Sequence, residues 1–128
     1  MSISCGVDII EINRIKDSLV KGNSAFKDRV YTSREVDYCE SERTVRYESY
    51  AARFAAKEAV SKAFGIGIGS ELSWKDIEIL NDKLGKPYVV LHNNAGRLFE
   101  NIGGNSISLS LSHCRDYAVA YVVVEAGK

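Results

Sequence analysis

Apolar positions recur along this chain with two distinct periods. Ile3, Cys5, Val7 and Ile9 alternate with small or polar residues, which predicts a strand over Ser2–Ile10. Ile12, Ile15 and Leu19 then fall at helical spacing and predict a helix over Glu11–Val20, stopped by Lys21–Gly22–Asn23. Phe26–Tyr31 reads as a short second helix. Thr32 or Ser33 caps a third, with Glu35 early in its first turn. The longest helical segment runs from about Arg43 to Phe64, rich in strongly helix-forming alanines, and ends at Gly65.

The glycine-studded stretch Gly65–Gly69 is a flexible connection. Ile77–Leu80 and Tyr88–Leu91 read as strands joined by a turn at Lys83–Pro87, and Asn93–Asn101 as a helix ended by Gly103–Gly104. Ile107, Leu109, Leu111 and His113 alternate with serines, as in a half-buried strand. Tyr117–Glu125 completes a hairpin through a tight turn at Cys114–Asp116. Strands separated by helices and closed by a hairpin define an α+β class.

Composition narrows the picture. At 128 residues, with 45% hydrophobic and 27% charged, the chain suits a single domain, 1–128, that buries roughly two-thirds of its unfolded surface. Seventeen basic residues balance seventeen acidic ones, so no global field draws it to nucleic acid or a membrane, and recognition of a charged partner needs a local patch. The longest apolar runs, such as Tyr117–Val124, fall short of the ~20 residues a membrane helix requires. No basic segment followed by an apolar one opens the chain, and three cysteines without CxxC spacing fit neither a disulfide framework nor a zinc site. These features point to a cytoplasmic location.

Three short constellations carry possible chemistry. Asp8 in Gly6–Val7–Asp8 is either a helix cap or a carboxylate at a strand end, beside a glycine that admits a ligand close to the backbone. Glu58 and Lys62, four apart on the long helix, share a face flanked by Ala51 and Ala55. Such a pair is either a surface ion pair or part of a site. His113, ending Ser110–Leu111–Ser112–His113, is a core-edge residue or a ligand-binding one; His92 has no motif around it. No GxxxxGK[ST] loop, HExxH, GxSxG elbow or basic–aromatic stripe is present.

Taken in order, Gly6–Val7–Asp8, the block Phe54–Gly65 (FAAKEAVSKAFG), Gly85–Lys86–Pro87 and Ser110–His113 resemble the holo-acyl-carrier-protein synthase family, the small bacterial branch of the 4′-phosphopantetheinyl transferases. The resemblance covers essentially the whole chain. It implies a mostly antiparallel sheet packed against a long helix, and a homotrimer with active sites between subunits. It further implies transfer of the 4′-phosphopantetheine arm of coenzyme A to a serine of apo-acyl carrier protein, releasing adenosine 3′,5′-bisphosphate.

On this resemblance Asp8 and Glu58 are ligands of Mg²⁺, a hard cation that takes one or two carboxylates beside phosphate oxygens. Lys62 neutralises the pyrophosphate and completes the catalytic set. Arg53, Lys62, Gly65, Gly85, Lys86, Pro87 and His113 bind coenzyme A. Position 114 is cysteine where relatives often carry a hydroxyl, leaving a backbone N–H as its possible replacement. The general base is Glu58 or a metal-bound water. Arg14, within a local basic cluster of Lys16, Lys21, Lys27 and Arg29, aligns with the docking arginine for an acidic carrier helix. Two alternatives remain open: a Mg²⁺-dependent phosphohydrolase, and a non-catalytic trimeric binding module of the same fold.

Overall fold

The structure, a computed structural model, describes residues 1–22 and 24–127. Five strands and five α-helices follow one another as β1 (Ser2–Glu11), α1 (Ile12–Lys21), α2 (Ala25–Val30), α3 (Ser33–Ser41), α4 (Arg46–Phe64), β2 (Ile77–Asn81), β3 (Pro87–Leu91), α5 (Asn93–Asn101), β4 (Gly104–His113) and β5 (Tyr117–Ala126). The α+β class expected from the pattern is present and every pairing is antiparallel. The strands form two sheets rather than one: β1-β5-β4, and a separate β2-β3 hairpin.

The long helix starts later than the alanine content suggested. Arg43–Val45 is a single 3-10 turn, and Val45, at φ −119° and ψ 29°, interrupts the regular helix before Arg46. Thr32 is the cap chosen for α3. Its side chain accepts from the Glu35 N–H while the Glu35 carboxylate accepts from the Thr32 N–H, a reciprocal capping box. At the far end of α4, Gly65 adopts φ 76°. The Gly65 and Ile66 amides bond back to Lys62 and Ser61, closing the helix in the left-handed turn that glycine adopts without strain.

Helix α4 lies on the three-stranded sheet through its alanines. Ala51, Ala55 and Ala59 are fully buried and Ala63 nearly so. Ala51 and Ala55, expected to clear a lane beside Glu58 and Lys62, belong instead to the buried side of the helix. The contact is closest at Gly6, where a Cβ would overlap the Ala59 carbonyl oxygen. The glycine before Asp8 therefore admits a helix backbone rather than a ligand.

This approach also decides which face of β1 looks inward. With side chains alternating along the strand, Gly6, Asp8 and Ile10 turn toward α4, and Gly6 and Ile10 are buried. The apolar set that revealed the strand lies on the opposite face. Ile3, Val7 and Ile9 remain 63%, 53% and 64% exposed, and Tyr121 of β5, opposite Val7, is exposed beside them. The open face of the sheet is thus its more apolar one along β1. On β4 the pattern behaves as expected, with serines 106, 108, 110 and 112 exposed and Ile107, Leu109 and Leu111 packed on the core.

Candidate active site

Asp8 lies within β1, with three more strand residues after it, and not at the strand's end. It caps no helix: the residue before α1 is Glu11, which makes no side-chain cap. Its carboxylate meets α4 instead. Lys62 donates from Nζ to Asp8 Oδ1 at 3.0 Å and to the Val7 carbonyl at 2.9 Å. Glu58, one turn earlier on α4, shares this setting. Burial pushes its carboxyl above the ordinary carboxylate range, the negative charge of Asp8 pushes the same way, and Lys62 opposes both. Two carboxylates on hard oxygens and one ammonium converge where strand and helix touch. Among the described residues no third metal-ligating side chain joins them. The donor set fits a cation such as Mg²⁺ that draws its remaining oxygens from a phosphate substrate and water.

A cavity of about 420 Å³ opens elsewhere on the chain, and Arg53, Gly85, Lys86, Pro87 and His113 all line it. Five of the seven residues implied to bind coenzyme A are therefore gathered at one place from α4, the β2–β3 turn and the end of β4. Lys62 and Gly65 are not among its lining, and neither are Asp8 and Glu58. This cavity therefore gathers one group of site residues and leaves the other at the β1–α4 contact. His113 is exposed on this wall rather than held in the core. The Cys114 N–H, considered as a substitute for a missing hydroxyl, already donates to the Tyr117 carbonyl at 2.9 Å within the β4–β5 hairpin and is not free for a ligand.

Two cavity residues escaped the sequence reading. Tyr38 places its ring under Arg53, with the guanidinium carbon 4.3 Å from the centroid, and Asn81 accepts a hydrogen bond from Arg53 through Oδ1. Neither lies in a recognisable motif. Asn81 ends β2 and is drawn to the site by the turn that follows.

The helix also carries a buried pair that no spacing announced. Lys57 is fully enclosed and donates to Glu35 Oε1 at 2.8 Å, to the Trp74 carbonyl at 3.0 Å and to the Ile77 carbonyl at 2.7 Å. Burial lowers its ammonium's pKa, while Glu35 opposes that shift. His92 takes a structural place as well, with Nε2 2.9 Å from buried Glu78, which also receives Arg34 at 2.6 Å and the Thr32 hydroxyl at 2.6 Å.

On the outer surface, Arg14 is exposed on α1. The surrounding cluster is less uniformly available than its charges suggested. Lys27 pairs with Glu40 at 3.8 Å, and Lys16 lies over the Tyr47 ring at 5.2 Å. No helix among the described residues is long and apolar enough to cross a membrane.

Paired carboxylates beside a lysine meet at the β1–α4 contact, and a cavity lined by Arg53, Lys86 and His113 lies apart from them. The chain belongs to the 4′-phosphopantetheinyl transferase superfamily, whose family model matches residues 4–122. Its relatives include the holo-[acyl-carrier-protein] synthase of Ruminiclostridium cellulolyticum, 54% identical over 127 residues that span 99% of this chain and 95% of that protein. Among solved structures, it is similar to the Helicobacter pylori holo-[acyl-carrier-protein] synthase in complex with coenzyme A. That match has a TM-score of 0.83 and 34% identity, covering 94% of this chain and 99% of that one. The Bacillus anthracis enzyme in complex with CoA (3′,5′-ADP) matches with a TM-score of 0.78 and 40% identity, covering 97% and 96%.

Proposed function

We infer that this chain transfers the 4′-phosphopantetheine arm of coenzyme A to a serine of apo-acyl carrier protein, making the holo-carrier used in fatty acid biosynthesis. In this reaction the serine Oγ attacks the β-phosphorus of the coenzyme A pyrophosphate. The bond to the bridging oxygen breaks, and adenosine 3′,5′-bisphosphate leaves with the electron pair. The serine proton goes to a base. Such a reaction depends on positioning and charge neutralisation rather than on a covalent intermediate.

The observation that carries this reading is the meeting of Asp8, Glu58 and Lys62 at the β1–α4 contact. Asp8 and Glu58 would hold Mg²⁺, which supplies neutralisation of pyrophosphate charge when bound. Lys62 adds a positive charge that strengthens its hold as the leaving oxygen becomes anionic. Glu58, or a water held between it and Asp8, would take the serine proton. Arg53 and His113 take the 3′-phosphate, and the Gly85–Lys86–Pro87 turn frames the adenine.

A homotrimer with active sites between subunits accounts for two further observations. The open apolar face at Ile3, Val7, Ile9 and Tyr121 is suited to burial against another subunit. The nucleotide cavity excludes Asp8, Glu58, Lys62 and Gly65, so one subunit's cavity can serve a neighbour's carboxylates. Exposed Arg14 on α1 receives the acidic carrier helix. A cytoplasmic setting accords with the free thiols of Cys5, Cys39 and Cys114.

Incubation with coenzyme A and Mg²⁺, with and without apo-carrier protein, tests the reaction. Release of adenosine 3′,5′-bisphosphate only with carrier present is the expected result. Release without carrier would identify a phosphohydrolase, and no release in either case would identify a binding module.

A further inference from the structure

Two cations are buried on α4 four residues apart, and the chain treats them differently. Lys57 has a carboxylate, Glu35, at 2.8 Å. Arg53, only 2% exposed, has no carboxylate within ion-pair distance among the described residues. Its partners are neutral: the Tyr38 ring and the Asn81 amide oxygen, while its Nε has no hydrogen-bond partner. A buried guanidinium without an anion is costly, and this one lines a cavity, where an anionic ligand would supply the charge its neutral partners do not. Asn81 is itself fixed from its other end. Its Nδ2 donates to the Gly85 carbonyl at 2.9 Å, which orients the amide so that Oδ1 faces Arg53.

We propose that Asn81 is a positioning residue for the nucleotide 3′-phosphate. Its amide bridges Arg53 to the Gly85 turn, and its neutrality leaves the guanidinium charge available, so that it sets the preference for coenzyme A over 3′-dephospho-coenzyme A. The inference rests on the transferase reading above and deepens it. Asn81 touches the guanidinium and the turn and acts on the phosphate only through them. An aspartate here would hold Arg53 equally well but neutralise it, and would lose the donor to Gly85.

The experiment compares kcat/KM for coenzyme A and for 3′-dephospho-coenzyme A in wild type, Asn81→Ala and Asn81→Asp, with thermal unfolding confirming that each is folded. Hydrogen bonds to charged groups are worth roughly tenfold to a hundredfold in affinity, and the wild-type preference should fall by that factor in both variants. Activity with the dephospho substrate should fall less than activity with coenzyme A, because releasing the Gly85 turn affects the adenine common to both while only coenzyme A loses the phosphate contact. Equal losses on both substrates in Asn81→Ala would make Asn81 merely structural and overturn the proposal, as would a preference retained in Asn81→Asp. A wild type indifferent to the 3′-phosphate overturns it too, while transfer from either form leaves the reaction itself standing. No transfer from either form would remove the underlying reading instead.

Discussion

Lys62 on α4 reaches across to β1, with Nζ 3.0 Å from Asp8 Oδ1 and 2.9 Å from the Val7 carbonyl. The ammonium is thus paired with the carboxylate it shares the site with. Lys62→Met should lower kcat on the order of a hundredfold, because the charge it stabilises grows during the step. KM for coenzyme A should shift far less. Steady-state kinetics with saturating carrier distinguish the two, and a change confined to KM would make Lys62 a binding residue only.

Gly6 holds strand and helix at a distance that any side chain would increase. A methyl at this position meets the Ala59 carbonyl, which belongs to helix backbone and cannot rotate away. Gly6→Ala should cost about 1–3 kcal/mol or more in unfolding free energy, as overpacking does. By moving Asp8 away from Glu58 and Lys62 it should also reduce transfer in protein that remains folded. Denaturant midpoints and specific activity measured on the same preparation check both effects. Unchanged activity would mean that the site tolerates a wider β1–α4 spacing.

Glu78 supplies a pH dependence of stability. Burial alone would raise its carboxyl, but hydrogen bonds from Thr32, His92 and Arg34, with the charge of Arg34, hold it at about 2. In the unfolded chain a glutamate titrates near 4.3, roughly. The unfolded state therefore binds the proton first as pH falls, and the stabilisation is complete above that value and disappears on approach to about 2. The stability difference between wild type and Glu78→Gln should be largest near neutrality and close progressively between those limits. Chemical denaturation across that range measures it. A difference independent of pH would show that the ionised carboxylate contributes nothing.

Arg14→Glu should raise KM for the carrier protein and leave KM for coenzyme A almost unchanged. With 17 basic and 17 acidic residues the enzyme exerts no net attraction at long range, so local charges steer an acidic partner. Added salt should raise the wild-type carrier KM, since charges are screened beyond ~8 Å at physiological ionic strength, and the variant should respond less. An unchanged carrier KM at low salt would place docking elsewhere.

Much of the fold was legible because its elements are marked locally. The apolar alternation found β1 and β4, the hydroxyl pair Thr32–Ser33 narrowed the α3 cap to two residues, and Gly65 marked the end of α4. What alternation alone could not reveal was which face turns inward. On β1 the apolar face is the open one, because Gly6 must admit Ala59 and Asp8 must follow it. The separation of β2-β3 into its own sheet was equally hidden, since strand order depends on long-range pairing. The motif residues were visible as a set, but their division between the β1–α4 contact and a separate cavity is three-dimensional. Asn81 and Tyr38 carry no pattern at all. They enter the site only because the chain folds Arg53 between them.

The central claim is tested most directly by the intact mass of an apo-acyl carrier protein after incubation with this enzyme, coenzyme A and Mg²⁺. The account predicts a gain of one phosphopantetheine group, mapped to a single serine, and no gain with Asp8→Ala or Glu58→Ala. An unmodified carrier, or modification that persists in both variants, would contradict it.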